Sequence, residues 1–472
     1  MKVKEIELRE VAVSDESTIN LKKLLWKIDL RLIPYLSLLY MFSFLDRVNI
    51  GHARLYGLEK ALNLTEEEFS WCLSIFFIGY VLFEVPSNLM MKRTSPPIWI
   101  VRIMVTWGGI TMCLASVTNF SGLLAGRFFL GIAEAGLAPG IIFYLSFWYA
   151  RSEQGVRIAF FFSASSLAGA FGGFIAYGIN YLDNKGGLRS WQWIFIIEGL
   201  PTVLLGILTW FVMPSSPQAS KWLTEEEKEF LNQRLIASHI EVQSKKFDKA
   251  QFISVFKDYK TYLYMLCYIG FICPFYSLAL LMPTIVNNMG FSKLNSFLLT
   301  IPPYIISFFI TMALAWNSDR VMERGYHIVC SATVALVGFI VLIAASSIPI
   351  KYFGVIIATV GLSACLPPAL SWSNNNTIGS TKSATVTAMI VSFGNVGGIF
   401  SGQFYRASEA PIYIPSHSTN IGFLGLTIVT ALILKWRFKV ENKKLDEMEQ
   451  DIFDKEEAFD RITINEGFRY II

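Results

Sequence analysis

The chain has 472 residues, 53% of them hydrophobic and only 16% charged, with a mean hydropathy of +0.48. Soluble domains carry about 25% charged residues, so this composition excludes an ordinary water-soluble globule. A net charge of +4 gives no footing for nucleic acid, and six cysteines (Cys72, Cys113, Cys267, Cys273, Cys330, Cys365) scattered in apolar runs without a CxxC read as small buried hydrophobes, not as disulfides or metal ligands.

Along the chain, residues 1–30 are polar, contain Asp and Glu, and offer no small-residue cleavage site. The first membrane helix is therefore expected to act as its own insertion signal. Apolar segments then recur near 31–53, 69–91, 98–118, 123–149, 157–182, 190–213, 260–288, 294–316, 327–348, 351–376, 384–407 and 420–438. About 20 residues at 1.5 Å each cross the hydrocarbon core, and a lipid-exposed backbone must bond to itself, so the segments are read as twelve transmembrane helices. The fold class expected is an all-α membrane protein of two six-helix bundles, 31–213 and 260–438.

Between the bundles, residues 214–259 form the longest polar interruption. Thr224 can cap a helix whose first turn holds Glu225, Glu226 and Glu227, giving an amphipathic connector. Residues 439–472 make a polar C-terminal tail, read as mobile or loosely helical. Lys22, Lys23, Lys27 and Arg31, the connector, and Lys435, Arg437 and Lys439 all fall on one side, which the distribution of basic residues assigns to the cytoplasm. The sequons at Asn63 and Asn119 fall on the other.

Six plus six helices suggest two related halves closing around a central site. A faint internal echo supports this. The loop after the eighth segment, NSDRVMERGYH, carries Asp319, Arg320 and Arg324, and its counterpart after the second, NLMMKRTSPPI, has Lys92 and Arg93 without an acid. The pattern resembles the helix-latching Gly-x-x-x-Asp-Arg/Lys loops of the major facilitator superfamily, which implies gating roles for Asp319, Arg320 and Arg324. No Gly-x-x-x-x-Gly-Lys-Ser/Thr stretch exists to cradle ATP, and no histidine is paired at catalytic spacing. The expectation is a carrier driven by an ion gradient, not an enzyme, with no cofactor.

The chemistry concentrates in GRFFLGIAEAGLAPG, residues 126–140. Arg127 and Glu134 are seven apart and share a helix face, and charges at that depth are costly unless they face a bundle interior or a watery cavity. The first segment supplies Asp46 and Arg47 in FSFLDRVNIG. A guanidinium is a fixed cation whose planar fork suits a carboxylate. A buried carboxylic acid takes up and releases its proton nearer neutral pH. Arg47 and Arg127 are therefore expected to hold the anion, Asp46 and Glu134 to carry protons, and protonation to release an arginine from its carboxylate partner.

DRVNI, RFFLGIAEAGLAPG, WQWIFIIEGLP at 191–201 and APIYIPSH at 410–417 together resemble the anion:cation symporter family of the major facilitator superfamily, and within it the fungal allantoate permease group with its carriers of nicotinate, pantothenate, biotin and ureidosuccinate. The resemblance covers Lys27 to Phe438. It implies alternating access, a plasma-membrane setting, proton-driven uptake of a small organic anion, and site roles for Asp46, Arg47, Arg127 and Glu134. One departure is Lys382-Ser383, where the family has a basic pair. Past Lys260 at its first position, the seventh segment has no Lys or Arg, which argues for a monocarboxylate over a dianion. Candidate hydrogen-bonding partners are Tyr276, Asn374, Asn375, Asn395 and Gln403. The chain is expected to act as a monomer whose partners are the organic anion, the proton and the lipid bilayer. The alternatives are an exporter or uniporter of such anions, or a nutrient receptor that binds without transport.

Overall fold

A computed structural model describes residues 19–149, 151–239, 249–377, 379–454 and 470–471. Among these, twelve helices are long and apolar enough to cross a membrane. The first six are α1 Leu21–Leu55, α2 Glu66–Met91, α3 Pro96–Ser116, α4 Phe120–Leu145, α5 Glu153–Leu182 and α6 Ser190–Val212. The second six are α7 Tyr259–Asn288, α8 Lys293–Val321, α9 Gly325–Ala344, α10 Ile348–Asn375, α11 Thr381–Ser401 and α12 Ile414–Met448.

At several spans a polar residue just outside the apolar run starts the helix by satisfying orphan N–H groups. Asn20 accepts from Lys23 N–H, Thr65 and Glu68 form a reciprocal capping box, and Asn119 accepts from Gly122 N–H. Two helices outrun their apolar segments. α1 begins at Leu21, ahead of residue 31, and the helix that includes α12 continues to Asp454, since no Gly or Pro interrupts residues 426–454. The first part of the expected tail is thus regular helix, and residues 455–469 lie outside the described set.

The helices pack in two sets. In the N-terminal set α1 meets α5 and α6, α2 meets α4, and α3 meets α4 and α6; in the C-terminal set α7 meets α11 and α12, α8 meets α10, and α9 meets α10 and α12. Adding six to each number in the first set yields the second, so the echo in the loops extends to the main helix contacts. α7 is buried over 89% of its most apolar window and α8 over only 33%. Phe211 and Phe309 stand 79% and 65% exposed, an apolar surface that suits lipid and not water.

The halves touch where α1 meets α7, α2 meets α11 and α5 meets α8. Several of these contacts lie towards the face opposite the termini. Ser74 Oγ donates to Ile399 O (2.7 Å) and Gln403 Nε2 to Ser74 (2.8 Å). A Cβ at Gly173 would lie 2.3 Å from Thr300 Oγ1, so the glycine-rich stretch 166–178 is a close helix contact, as small residues allow. On the termini face the connector is tied to the N-terminal half. Thr224 N–H donates to Glu227, whose carboxylate also takes Lys27 Nζ at 2.6 Å, and Arg234 meets Glu153 at 2.7 Å. Burial opposes ionisation of Glu227, but the bonds from Lys27 and Thr224 outweigh it and hold the carboxyl below its ordinary range.

One span departs from the expected continuous helix. α4 runs helically to Glu134, breaks at Ala135 and Gly136, and resumes at Leu137. Gly136 has φ +93°, a conformation glycine adopts without strain. Pro139 lacks the N–H that would bond back to Ala135. The sequence EAGLAP thus places an acid on the last residue before a break in the membrane helix.

Candidate functional site

Adjacent residues on a helix point about 100° apart, and α1 uses this to send Asp46 and Arg47 to different places. Arg47 turns towards α4 and α7. Its guanidinium forms an ion pair with Glu134, both side chains being buried, and Nη1 donates to Tyr276 Oη at 2.8 Å. Ser43 Oγ donates to the same Glu134 oxygen at 2.5 Å, and Tyr276 donates onward to Asn395 Oδ1 at 3.3 Å. The Arg47 guanidinium carbon lies 5.1 Å from the Tyr80 ring centre and 5.4 Å from that of Phe76, an aromatic cradle that favours a cation. A single arginine thus joins α1 to α4 within one half and to α7 of the other.

Arg127 is fully buried and does not reach the membrane surface. Its Nε donates to Cys72 O at 3.3 Å and its Nη2 to Arg47 O at 3.4 Å, with Nη1 left without a partner. It straps α4 to α1 and α2. Asp46 turns to neutral donors: its Oδ2 accepts from Trp107 Nε1 and Thr202 Oγ1, both at 2.8 Å, between α3 and α6. The ion pair is made by Glu134 alone.

The C-terminal candidates divide. Tyr276 and Asn395 stand at the charge pair. Asn374 and Asn375 do not: Asn374 accepts from Thr387 at 2.6 Å near the end of α10, and Asn375 is exposed there. Both lie at the termini end because α10 runs on past the apolar core to Asn375. Gln403 joins α11 to α2 at the far face. In the loop after α8, Arg324 pairs with Asp319 and bonds Ser318 Oγ at 3.0 Å. Arg320, the third residue expected to act in gating, stands outside this pair, exposed and lying over the Trp316 ring. The second cation is Lys435 of α12, which pairs with Glu323, and His327 Nδ1 lies 2.9 Å from the other Glu323 oxygen. Burial would raise the Glu323 carboxyl, yet the bonds from Lys435, Tyr326 N–H and His327 prevail and hold it below its ordinary value.

Two buried acids were not singled out from the sequence. Glu84 of α2 accepts from Ser392 Oγ of α11 at 2.9 Å, across the same interface as Arg47–Tyr276. Glu198 of α6 is wholly buried, with neither carboxylate oxygen bonded. Both are lone acids inside apolar runs, LFEVP and IIEGLP, and the depth rule that picked out Glu134 applies to them equally.

Twelve spans in two matching sets, meeting around a buried charge pair, define a polytopic membrane transporter. The chain belongs to the Major Facilitator Superfamily, whose family model matches residues 36–402. It is 35% identical to the MFS transporter prlL of a fungal species (strain NRRL 50135) over 453 residues, 93% of this chain and 90% of that protein. It is 37% identical to the MFS-type transporter cnsO of Penicillium expansum over 437 residues, 90% and 84% of the two chains. The Major facilitator-type transporter hxnP of Emericella nidulans is 31% identical over 435 residues, 90% and 87%. Among solved structures, the fold resembles a bacterial homolog of the human lysosomal transporter Spinster, inward-facing and unoccupied, with a TM-score of 0.65 at 14% identity over 85% of this chain and 95% of that one.

Proposed function

We propose that this transporter takes up a small organic anion, a carboxylate such as allantoate, ureidosuccinate, nicotinate or another vitamin acid, together with protons. The resemblance to the anion:cation symporter family points to this substrate class. The halves 31–213 and 260–438 rock about the connector 214–259 in a plasma membrane, both termini cytoplasmic. The observation that carries the reading is Arg47, buried between the halves and bonded at once to Glu134 and Tyr276. A buried ion pair is weak evidence for stability in itself, and one placed at a moving interface suits a switch.

When Glu134 takes a proton it no longer balances Arg47, and the guanidinium fork is released to a substrate carboxylate. Tyr276 and Asn395 then orient the bound anion from the C-terminal half. Loss of the proton restores the Arg47–Glu134 pair and expels the anion. Arg127 contributes a second buried cation while bracing α1, α2 and α4, and Asp46 supplies a further carboxylate for protons. One releasable guanidinium matches one carboxylate, which favours a monoanion. The break after Glu134 supports the same reading, because carriers build coupling sites where membrane helices are interrupted.

Proteoliposomes bearing Glu134→Gln test this. An inward proton gradient should no longer drive accumulation of labelled allantoate or nicotinate, while counterflow exchange of the same anion persists. Gradient-driven accumulation equal to that of the unmodified protein would overturn the role of Glu134.

A further inference from the structure

Within the N-terminal half, on the side of α1 away from the Arg47–Glu134 pair, lies a second polar cluster. Glu198 of α6 is wholly buried and neither of its oxygens receives a hydrogen bond. Thr202, one turn further along α6, donates to Asp46 Oδ2 and so ties α6 to α1. Asp46 keeps a second oxygen, Oδ1, buried and unbonded. Asn49, one turn along α1 from Asp46, is wholly buried, and neither its Nδ2 nor its Oδ1 has a partner. Its amide lies beside Glu198, and the charge of Asp46 reaches Glu198 as well. From α3 the cluster receives Trp107, which donates to Asp46. The charge that acts on Glu198 is that of Asp46, and Asp46 in turn feels the charges of Glu134 and Arg127.

An ionised carboxylate buried without donor or counterion is very costly, whereas its neutral form is tolerated. A free amide donor beside an unbonded acid is the complementary feature, because it can receive the charge if the proton leaves. We propose that Glu198, Asn49 and Asp46 form a resident proton-binding site in the N-terminal half, with Glu198 holding the proton and Asp46 exchanging it. In the exchange an O–H bond of Glu198 breaks and an O–H bond forms at Asp46 Oδ1. The negative charge passes from Asp46 to Glu198, where Asn49 Nδ2 donates to it. The site deepens the proton-coupled reading above and rests on that reading for its consequence: Asp46 and Arg47 share α1, so a change of charge on one face of the helix is carried by the element that presents the guanidinium to the substrate on the other.

The test reads the proton directly and needs no substrate. Infrared spectra of the full chain in nanodiscs, titrated with pH, should show a carboxylic-acid carbonyl component at neutral pH that Glu198→Gln loses and Glu134→Gln retains. Asn49→Leu removes the donor that would accept the charge, and should shift release of that component to higher pH. Spectra of Glu198→Gln identical to those of the unmodified protein would overturn the site, as would an Asn49→Leu titration that does not move. If Glu198→Gln is not recovered folded, the Asn49→Leu titration decides alone. Failure of the transport reading would appear separately, as uptake indifferent to the proton gradient with the infrared component still present.

Discussion

The two halves repeat one another in packing and not in chemistry. α1 and α7 occupy matching places, each packed on the fifth and sixth helices of its own set and each touching the other. Yet α1 carries Asp46 and Arg47, whereas α7 answers with Tyr276 and Ser277. α2, α4 and α6 add Glu84, Arg127, Glu134 and Glu198, all buried. Among the described residues, the buried Lys and Arg of the C-terminal half are Arg324 and Lys435, both in the latch near the termini face. Toward its centre that half offers neutral groups: Tyr276, Ser392, Asn395 and Asn420. Duplicated architecture supplies a hinge with an axis, and asymmetric charge gives the two sides of the hinge different work. In the function proposed above, the N-terminal half holds charge and exchanges protons, and the C-terminal half recognises shape and hydrogen-bonding pattern.

The largest effect should come from Arg47→Met, which strikes a buried cation bonded to both halves. It leaves Glu134 buried with no counterion, and breaking a buried pair from one side costs about 3–5 kcal/mol. Uptake should be abolished and the thermal midpoint of the detergent-solubilised protein should fall. Adding Glu134→Gln should restore the midpoint and leave uptake abolished. Uptake that survives in the double variant would place the anion site outside the N-terminal half and end the division of labour.

Much of this asymmetry is visible in the sequence. Arg127 and Glu134 in RFFLGIAE are conspicuous because apolar neighbours leave them no other environment than a protein interior, and Asp46-Arg47 stand out for the same reason. Their partners are less visible. Arg47 reaches Tyr276 across 229 residues of chain, a contact set by how the halves dock, and no local pattern encodes docking. Asp46 illustrates the same limit: neighbouring charges suggest an ion pair, but a 100° turn of the helix delivers the carboxylate to Trp107 and Thr202. Asn374 and Asn375 were drawn toward the site by residue type alone, while the length of α10 carries them to its end. The break at Gly136 is written in EAGLAP but is masked by the high apolarity around it.

A smaller effect is expected on the C-terminal side. Tyr276→Phe keeps the ring that lies against Phe77 and removes the hydroxyl that accepts from Arg47 and donates to Asn395. A hydrogen bond of this kind is worth about 1 kcal/mol net, or up to about 3 when one partner is charged. Concentration-dependence of uptake should show KM raised roughly several-fold, with proton-gradient dependence unchanged. Loss of proton dependence in this variant would mean that coupling is shared by both halves.

The smallest effect should come from the latch on the termini face, where Glu323→Gln removes the carboxylate that joins Lys435 to His327. Glu323 is held below its ordinary value of 4.5 in the folded protein, so the sign is that of a depressed acid. Its contribution to stability is complete above that ordinary value and disappears as pH falls through the lower folded value. The site is partly open to solvent and therefore screened, which limits the contribution to about 1 kcal/mol or less. Thermal unfolding at neutral pH should find the variant slightly less stable, and the difference should close in acid below 4.5. Uptake should keep its proton dependence throughout, because this carboxylate sits in the loop after α8, remote in the fold from Glu134 at the broken turn of α4. If Glu323→Gln instead altered proton coupling, charge in the C-terminal half would be part of the switch, and the two halves would differ less in function than in composition.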